Sequence, residues 1–184
     1  MDDTIGIEDI DRMIRTAVDK IRANCDELSK MDSAIGDGDH GTSIARAMTI
    51  AEKILDESDK KDLKKLLKDV GWGVMGCDGG ATGPLLGSFL MGLSDPVEGQ
   101  SKIDSAMIAA MLEAGLAGGS RQSKAKVGDK TMMDALIPAV DNLRQAVDAG
   151  KTIKEALKAA SEAAEKGAVS TKEFKASFGR AKNL

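Results

Sequence analysis

The stretch "IGDGDHG" at residues 35–41 sets Asp37 and Asp39 among three glycines, and a third carboxylate, Asp32, lies five residues before Asp37. Oxygen donors without cysteine suit a hard cation such as Mg²⁺, which binds through a few carboxylates and leaves its other positions to water and substrate phosphates. Gly36, Gly38 and Gly41 also fit G-x-G-x-x-G. A dinucleotide-binding turn follows a strand, however, and here the preceding "IRANCDELSKM" reads as the end of an amphipathic helix. An EF-hand beginning at Asp37 fails as well, because its sixth position is Thr42 where glycine is needed and its twelfth is Met48 where a bidentate Glu is needed. What survives is three carboxylates gathered by a glycine-rich turn between two helices. Such a loop repels a bare phosphate and attracts a metal–phosphate complex, since divalent ions invert the local electrostatics. A solvated turn whose aspartates cap the following helix is the competing reading. His40, the sole histidine, is expected to donate a hydrogen bond to phosphate rather than to ligate so hard an ion, against the alternative of a bystander on a loop.

Two further loops could add to such a site. "GCDGGATGPLLG" at 76–87 places Gly79, Gly80 and Gly83 before an apolar helix, with Pro84 suited to its first position. Free backbone N–H groups there, with the Thr82 hydroxyl, would make an anion site; glycines that only let helices pack closely are the alternative. "VGDKTMMDAL" at 127–136 opens a helix with Asp129, Lys130 and Thr131. By contrast "GKT" at 150–152 is no Walker A loop, because Gln145 stands where that motif needs glycine. There Gly150 is expected to end one helix in left-handed geometry, and Thr152 with Glu155 to form a capping box on the next.

The elements that must position these loops read as helices. Ile7, Ile10, Ile14, Val18, Ile21, Cys25 and Leu28 recur at steps of three and four, predicting one first helix. The period returns from Ile44 to Leu55, Leu63 to Val70, Ile103 to Ala114, Met132 to Val147 with a bend at Pro138, and Ile153 to Ala164. No stretch alternates with period two and Tyr is absent, so the fold is expected to be all-α, with short loops making sequential helices antiparallel neighbours. Residues 1–184 are expected to form a single domain, without linker or repeat.

Composition excludes other classes. A net charge of −4 and 2% aromatic residues argue against a nucleic-acid partner, and no apolar run approaches a membrane span. The acidic start "MDDTIGIEDIDRM" is unlike a signal peptide, so a cytoplasmic location is expected. Cys25 and Cys77 form no metal-binding spacing and are expected to be reduced and structural. With so few aromatics, a purine pocket would be lined by aliphatic groups such as those of the ten methionines.

Taken in order, "MDSAIGDGDHGTS", "GGATGPLLG", "GDKTMMDAL" and "GAVSTKEFKASFGRA" resemble the ADP-binding L subunits of bacterial phosphotransferase-dependent dihydroxyacetone kinases, from about residue 8 to the end. The resemblance implies an eight-helix antiparallel barrel with a nucleotide, ADP or ATP, bound at one mouth. It implies two Mg²⁺ ions held between the phosphates and Asp32, Asp37 and Asp39. Family nucleotide contacts fall on His40, Gly41, Thr42 and Ser43, on Gly80, Ala81 and Thr82, and on Thr131 and Met132, the latter beside the adenine. The basic residue of the G-R-A motif becomes Arg180, with a catalytic role. In such a family ADP is a retained cofactor, rephosphorylated by a phosphohistidine on an M subunit, and the ATP formed donates to dihydroxyacetone on a K subunit. Two alternatives stand beside it: a related kinase domain that exchanges free ATP and serves another triose or tetrose with a partner, and a nucleotide-sensing regulator that docks on a transcription factor and shares every site residue. The sequence departs from the family at Ser123, where many relatives have glycine near the adenine, and in ending at "GRAKNL" ahead of a D-P-G segment.

Overall fold

The three-and-four spacing becomes eight helices among the described residues, which in the computed structural model are 3–77 and 82–183. They are α1 (Ile7–Ala23), α2 (Cys25–Ser33), α3 (His40–Glu57), α4 (Leu63–Met75), α5 (Thr82–Gly92), α6 (Ser105–Ser120), α7 (Met133–Asp148) and α8 (Ile153–Ser170). The all-α expectation holds, apart from one antiparallel pair of two-residue strands, β1 (Ile5–Gly6) and β2 (Lys102–Ile103), in which Ile5 faces Ile103. From α2 onward each helix packs on the next in sequence, as short connections require, while α1 also packs on α3, and α6 on α8. Asp3 accepts a hydrogen bond from the Ile153 N–H, joining the start of the chain to the start of α8.

Two apolar clusters share α1 and α4. Ile10, Leu63 and Leu67 face one, with Ile108 and Leu143. Val18, Leu66 and Val70 face the other, with Met48 and Leu55. Ile10 and Val18 lie about two turns apart along α1, and Leu66 and Leu67 are neighbours on α4, so each of these helices buries into both clusters.

The predicted first helix is two. At Asn24 the backbone leaves helical geometry (φ −111°, ψ 10°), and its side-chain amide donates to the Lys20 carbonyl at 2.7 Å, competing with the helical ladder. The break redirects α2 so that the first turn of α3 lies against it. Gly41 makes this possible, because a Cβ there would fall 2.0 Å from the Cys25 carbonyl oxygen. Pro84 is the third rather than the first residue of α5, still within the turn whose N–H groups have no intrahelical acceptor.

Helix ends follow local chemistry. Asp62 and Asp104 cap α4 and α6 by accepting from Lys65 and Met107 N–H at 2.9 and 2.8 Å. The Thr152–Glu155 capping box forms as expected, and Gly150 takes φ +73°. Pro138 lies inside α7, leaving the Asp134 carbonyl without its helical donor. Helix α8 passes there at Gly167, where a Cβ would lie 2.0 Å from that carbonyl oxygen. No helix among the described residues is long and apolar enough to cross a membrane.

Candidate functional site

Four separate segments converge on one cavity of about 670 Å³: the end of α2 with its following turn, the first turns of α3 and α5, the loop before α7, and the C-terminal segment. Asp32, Asp37, Asp39, His40, Thr82, Ser123, Thr131 and Met132 all line it, so residues nominated from three distant motifs meet in space.

The acidic end is built by the turn after α2. The Gly36 N–H returns to the Asp32 carbonyl at 2.6 Å, folding the chain over the Asp32 side chain. A Cβ on Gly36 would lie 2.4 Å from Asp32 Oδ1, so a larger residue there would displace that carboxylate. Gly38 follows in the left-handed region at φ +77°. The outcome is that one carboxylate oxygen from each of Asp32, Asp37 and Asp39 lies within 4.8 Å of the others. Asp39 occupies the N-cap position of α3 yet makes no side-chain cap hydrogen bond, which goes against the reading of these aspartates as helix caps. All-oxygen donors at this spacing fit a hard divalent cation.

Carboxylates and helix starts lie side by side. His40 is the first residue of α3 and Thr82 the first described residue of α5, and both line the cavity; a helix start offers N–H groups without intrahelical acceptors and the positive end of the helix dipole, which suit an anion. This answers how so acidic a glycine loop could accept a phosphate: the carboxylates suit a metal and the helix starts suit the anion.

Other nominated residues take different places. Gly41 is buried against Cys25 and acts by its lack of a side chain. Thr42 turns its hydroxyl to the Asp39 carbonyl at 2.8 Å. Ser43 is buried, its hydroxyl 3.5 Å from Asp39 Oδ2 and accepting from Arg46 at 3.0 Å. These residues hold the turn and Asp39 rather than line the cavity. Gly80 and Ala81 lie outside the described residues, as does the Arg180 side chain. Gly179 and Ala181, on either side of Arg180, line the cavity. Gly83 serves close packing, its Cβ position 3.1 Å from the Cys77 carbonyl.

The loop before α7 is tied to the C-terminal segment. Asp129 O accepts the Ser177 N–H at 3.1 Å, and Lys130 Nζ donates to the Phe174 carbonyl at 3.2 Å. The Asp129 carboxylate accepts the Lys126 N–H at 2.9 Å and a hydrogen bond from the Ser177 side chain, which together hold its pKa below the usual range. These links deliver Phe178 to the cavity.

Sequence reasoning missed Leu28, Met31, Ile35, Leu85, Lys130 and Phe178, all of which line the cavity. Met31, Ile35, Met132 and Phe178 are exposed large hydrophobics. A signal was present for three of them: Leu28, Met31 and Ile35 share a helical stripe with Asp32, and a carboxylate inside an apolar stripe marks a face that does not simply enter the core.

Residues 34–184 match the DAK2 domain family. The chain is 34% identical over 166 residues to the ADP-binding subunit DhaL of PEP-dependent dihydroxyacetone kinase 1 from Listeria innocua, covering 90% of this chain and 78% of that protein. It is 35% identical over 158 residues to the ADP-binding subunit DhaL of the PEP-dependent dihydroxyacetone kinase of Escherichia coli, covering 85% and 75%. Among solved structures, the dihydroxyacetone kinase from C. freundii in complex with AMP-PNP and Mg²⁺ superposes with a TM-score of 0.73 at 25% identity, over 93% of this chain and 29% of that one.

Proposed function

The chain belongs to the DAK2 domain family, and on that premise we propose that it is the ADP-binding L subunit of a phosphoenolpyruvate-dependent dihydroxyacetone kinase. The observation that carries the reading is the meeting of three mutually close carboxylates with two helix N-termini in one cavity large enough for a nucleotide. The likeness to ADP-binding subunits over most of their length supports it.

In this reading Asp32, Asp37 and Asp39 hold Mg²⁺, two ions by family resemblance, against the nucleotide phosphates. Held by these three carboxylates, such ions would offset the negative charge of the transferring phosphoryl group. The first-turn N–H groups of α3 and α5, with His40 and Thr82, orient the phosphates. Apolar Leu85, Met132 and Phe178 exclude water from the remainder of the nucleotide. Arg180, whose chain neighbours Gly179 and Ala181 line the cavity, would by family resemblance supply the guanidinium that meets the charge developing during transfer. The neighbouring carboxylates are committed to cations, so the base for the sugar hydroxyl belongs to the K partner, and the phosphoryl source is the phosphohistidine of an M partner. Residues 1–184 act as one nucleotide-binding unit in the cytoplasm.

A second reading is a domain that exchanges free ATP and phosphorylates another triose or tetrose; the C. freundii kinase, bound to AMP-PNP and matched by this chain over 29% of its length, lends support to its nucleotide half alone. The two differ in how nucleotide enters. With K and M partners present, turnover is expected to need phosphoenolpyruvate but no added ATP, and ADP should stay bound through gel filtration. Labelled external ATP decides the matter: label reaching the sugar phosphate at the full rate without M establishes the exchanging kinase.

A further inference from the structure

Asp134 is 1% exposed, one of few fully buried charged residues, and has no part in the chemistry above. A carboxylate is placed so deeply only where it gains strong hydrogen bonds. Its two oxygens accept the Gly128 N–H at 2.6 Å and the Thr131 N–H at 2.7 Å. Both donors belong to the turn before α7, and the turn is strained. Gly128 has φ +101°, and Lys130, which is not glycine, has φ +60°. Left-handed geometry at a lysine persists only when its surroundings over-determine it. Asp134 grips the backbone at Gly128 and Thr131, on both sides of Lys130, and the residues so held, Lys130, Thr131 and Met132, line the cavity.

From this geometry we infer that Asp134 is a positioning residue for nucleotide binding, a buried clamp that sets Thr131 and Met132 at the apolar part of the cavity. The inference rests on the nucleotide reading above. Its sharper content is spatial: Asp134 governs the wall formed by the loop before α7, whereas the turn of residues 32–39 governs the acidic end. Each is built by its own backbone hydrogen bonds, with no bond between them through Asp134. Weakening the clamp therefore loosens contact with the nucleoside and leaves contact with the metal and phosphates in place.

Asp134→Asn replaces one acceptor oxygen by an amide that faces a backbone N–H, so a buried donor loses its partner. Calorimetric titration with two probes, Mg²⁺–ADP and Mg²⁺–pyrophosphate, separates the two ends of the site. The expected result is about a tenfold rise in the dissociation constant for Mg²⁺–ADP and less than about a twofold change for Mg²⁺–pyrophosphate. Equal losses for both probes, or no loss for either, would overturn the positioning role. A wild-type chain without affinity for Mg²⁺–ADP is a different failure, since it removes the nucleotide reading itself. Should Asp134→Asn not fold, hydrogen exchange on the wild-type chain decides: Gly128 and Thr131 amides are expected to be protected well beyond their loop neighbours, and exchange at open-loop rates overturns the clamp.

Discussion

At Gly36 a single hydrogen atom determines whether the acidic cluster can close. A Cβ there would come within 2.4 Å of Asp32 Oδ1, so Gly36→Ala must push that carboxylate away from Asp37 and Asp39. The expected outcome is a loss of Mg²⁺-dependent ADP affinity of about tenfold with little change in melting temperature, because the turn lies on the surface. Calorimetry and a thermal melt on the same sample check both halves. Asp39→Asn acts on charge instead of position, removing a ligand of the Mg²⁺ that offsets repulsion between the phosphates and the remaining carboxylates; Mg²⁺–ADP affinity should fall severely, and unchanged affinity would remove the metal assignment. Arg180→Ala should lower phosphoryl transfer far more than ADP binding, by about 2–4 kcal/mol of transition-state stabilisation. Parallel losses in kcat and affinity would instead mark a ground-state clamp. The acidic trio was legible in the sequence because its members sit within eight residues, where spacing is itself a structural statement. Phe178 was not, since its place at the cavity arises only when segments distant in sequence meet; Asp134 was not, because its local hydrogen bonds to Gly128 and Thr131 sit inside a motif that reads as an ordinary capped helix start.

Helix placement was largely legible for the same local reason, and its misses have local causes too. The first apolar stripe runs unbroken through Cys25 and Leu28, so nothing in its period announces the break at Asn24, which a side-chain hydrogen bond to Lys20 accompanies. The β1–β2 pair is two residues a side, too short to show any alternation. Close helix contacts are likewise invisible until the partner is known. Gly167 reads as an ordinary helical glycine, yet it faces the carbonyl that Pro138 leaves free on α7. Gly167→Ala is expected to destabilise by about 1–3 kcal/mol through overpacking, lowering the melting temperature by several degrees. The link between the loop before α7 and the C-terminal segment makes a pH prediction. The Asp129 carboxyl is held below its usual range, so ionisation favours the linked state. Its contribution is intact above the unfolded pKa and is lost only as pH falls through the lower folded one. The Ser177 amide resonance should therefore stay constant from neutral pH down to about 5 and move only below about 4.

The whole molecule brings both halves of its sequence to one cavity, and neither half completes the site. Residues 32–40 supply the carboxylates and one helix start, while residues 123–132 and 178–181 supply the opposite wall. A ligand that spans the cavity must therefore tie these parts together and stabilise the entire fold by mass action. The acidic end makes that stabilisation conditional. ADP without metal meets three carboxylates and is repelled; Mg²⁺ without ADP lacks the phosphate oxygens that complete its shell. Each ligand should thus raise the affinity for the other, a reciprocal coupling between them. At about one hundred times the dissociation constant the stabilisation is roughly 2.7 kcal/mol, and for a chain of this length each kcal/mol moves the melting temperature by about 2–4 °C. Mg²⁺ and ADP together should raise it by about 5–10 °C, whereas ADP with a chelator, or Mg²⁺ by itself, should barely shift it. The same scan on Asp39→Asn should show the joint effect largely gone. A full shift from ADP in the presence of chelator would mean that the helix N-termini hold the phosphates unaided, and the three aspartates would then need another purpose.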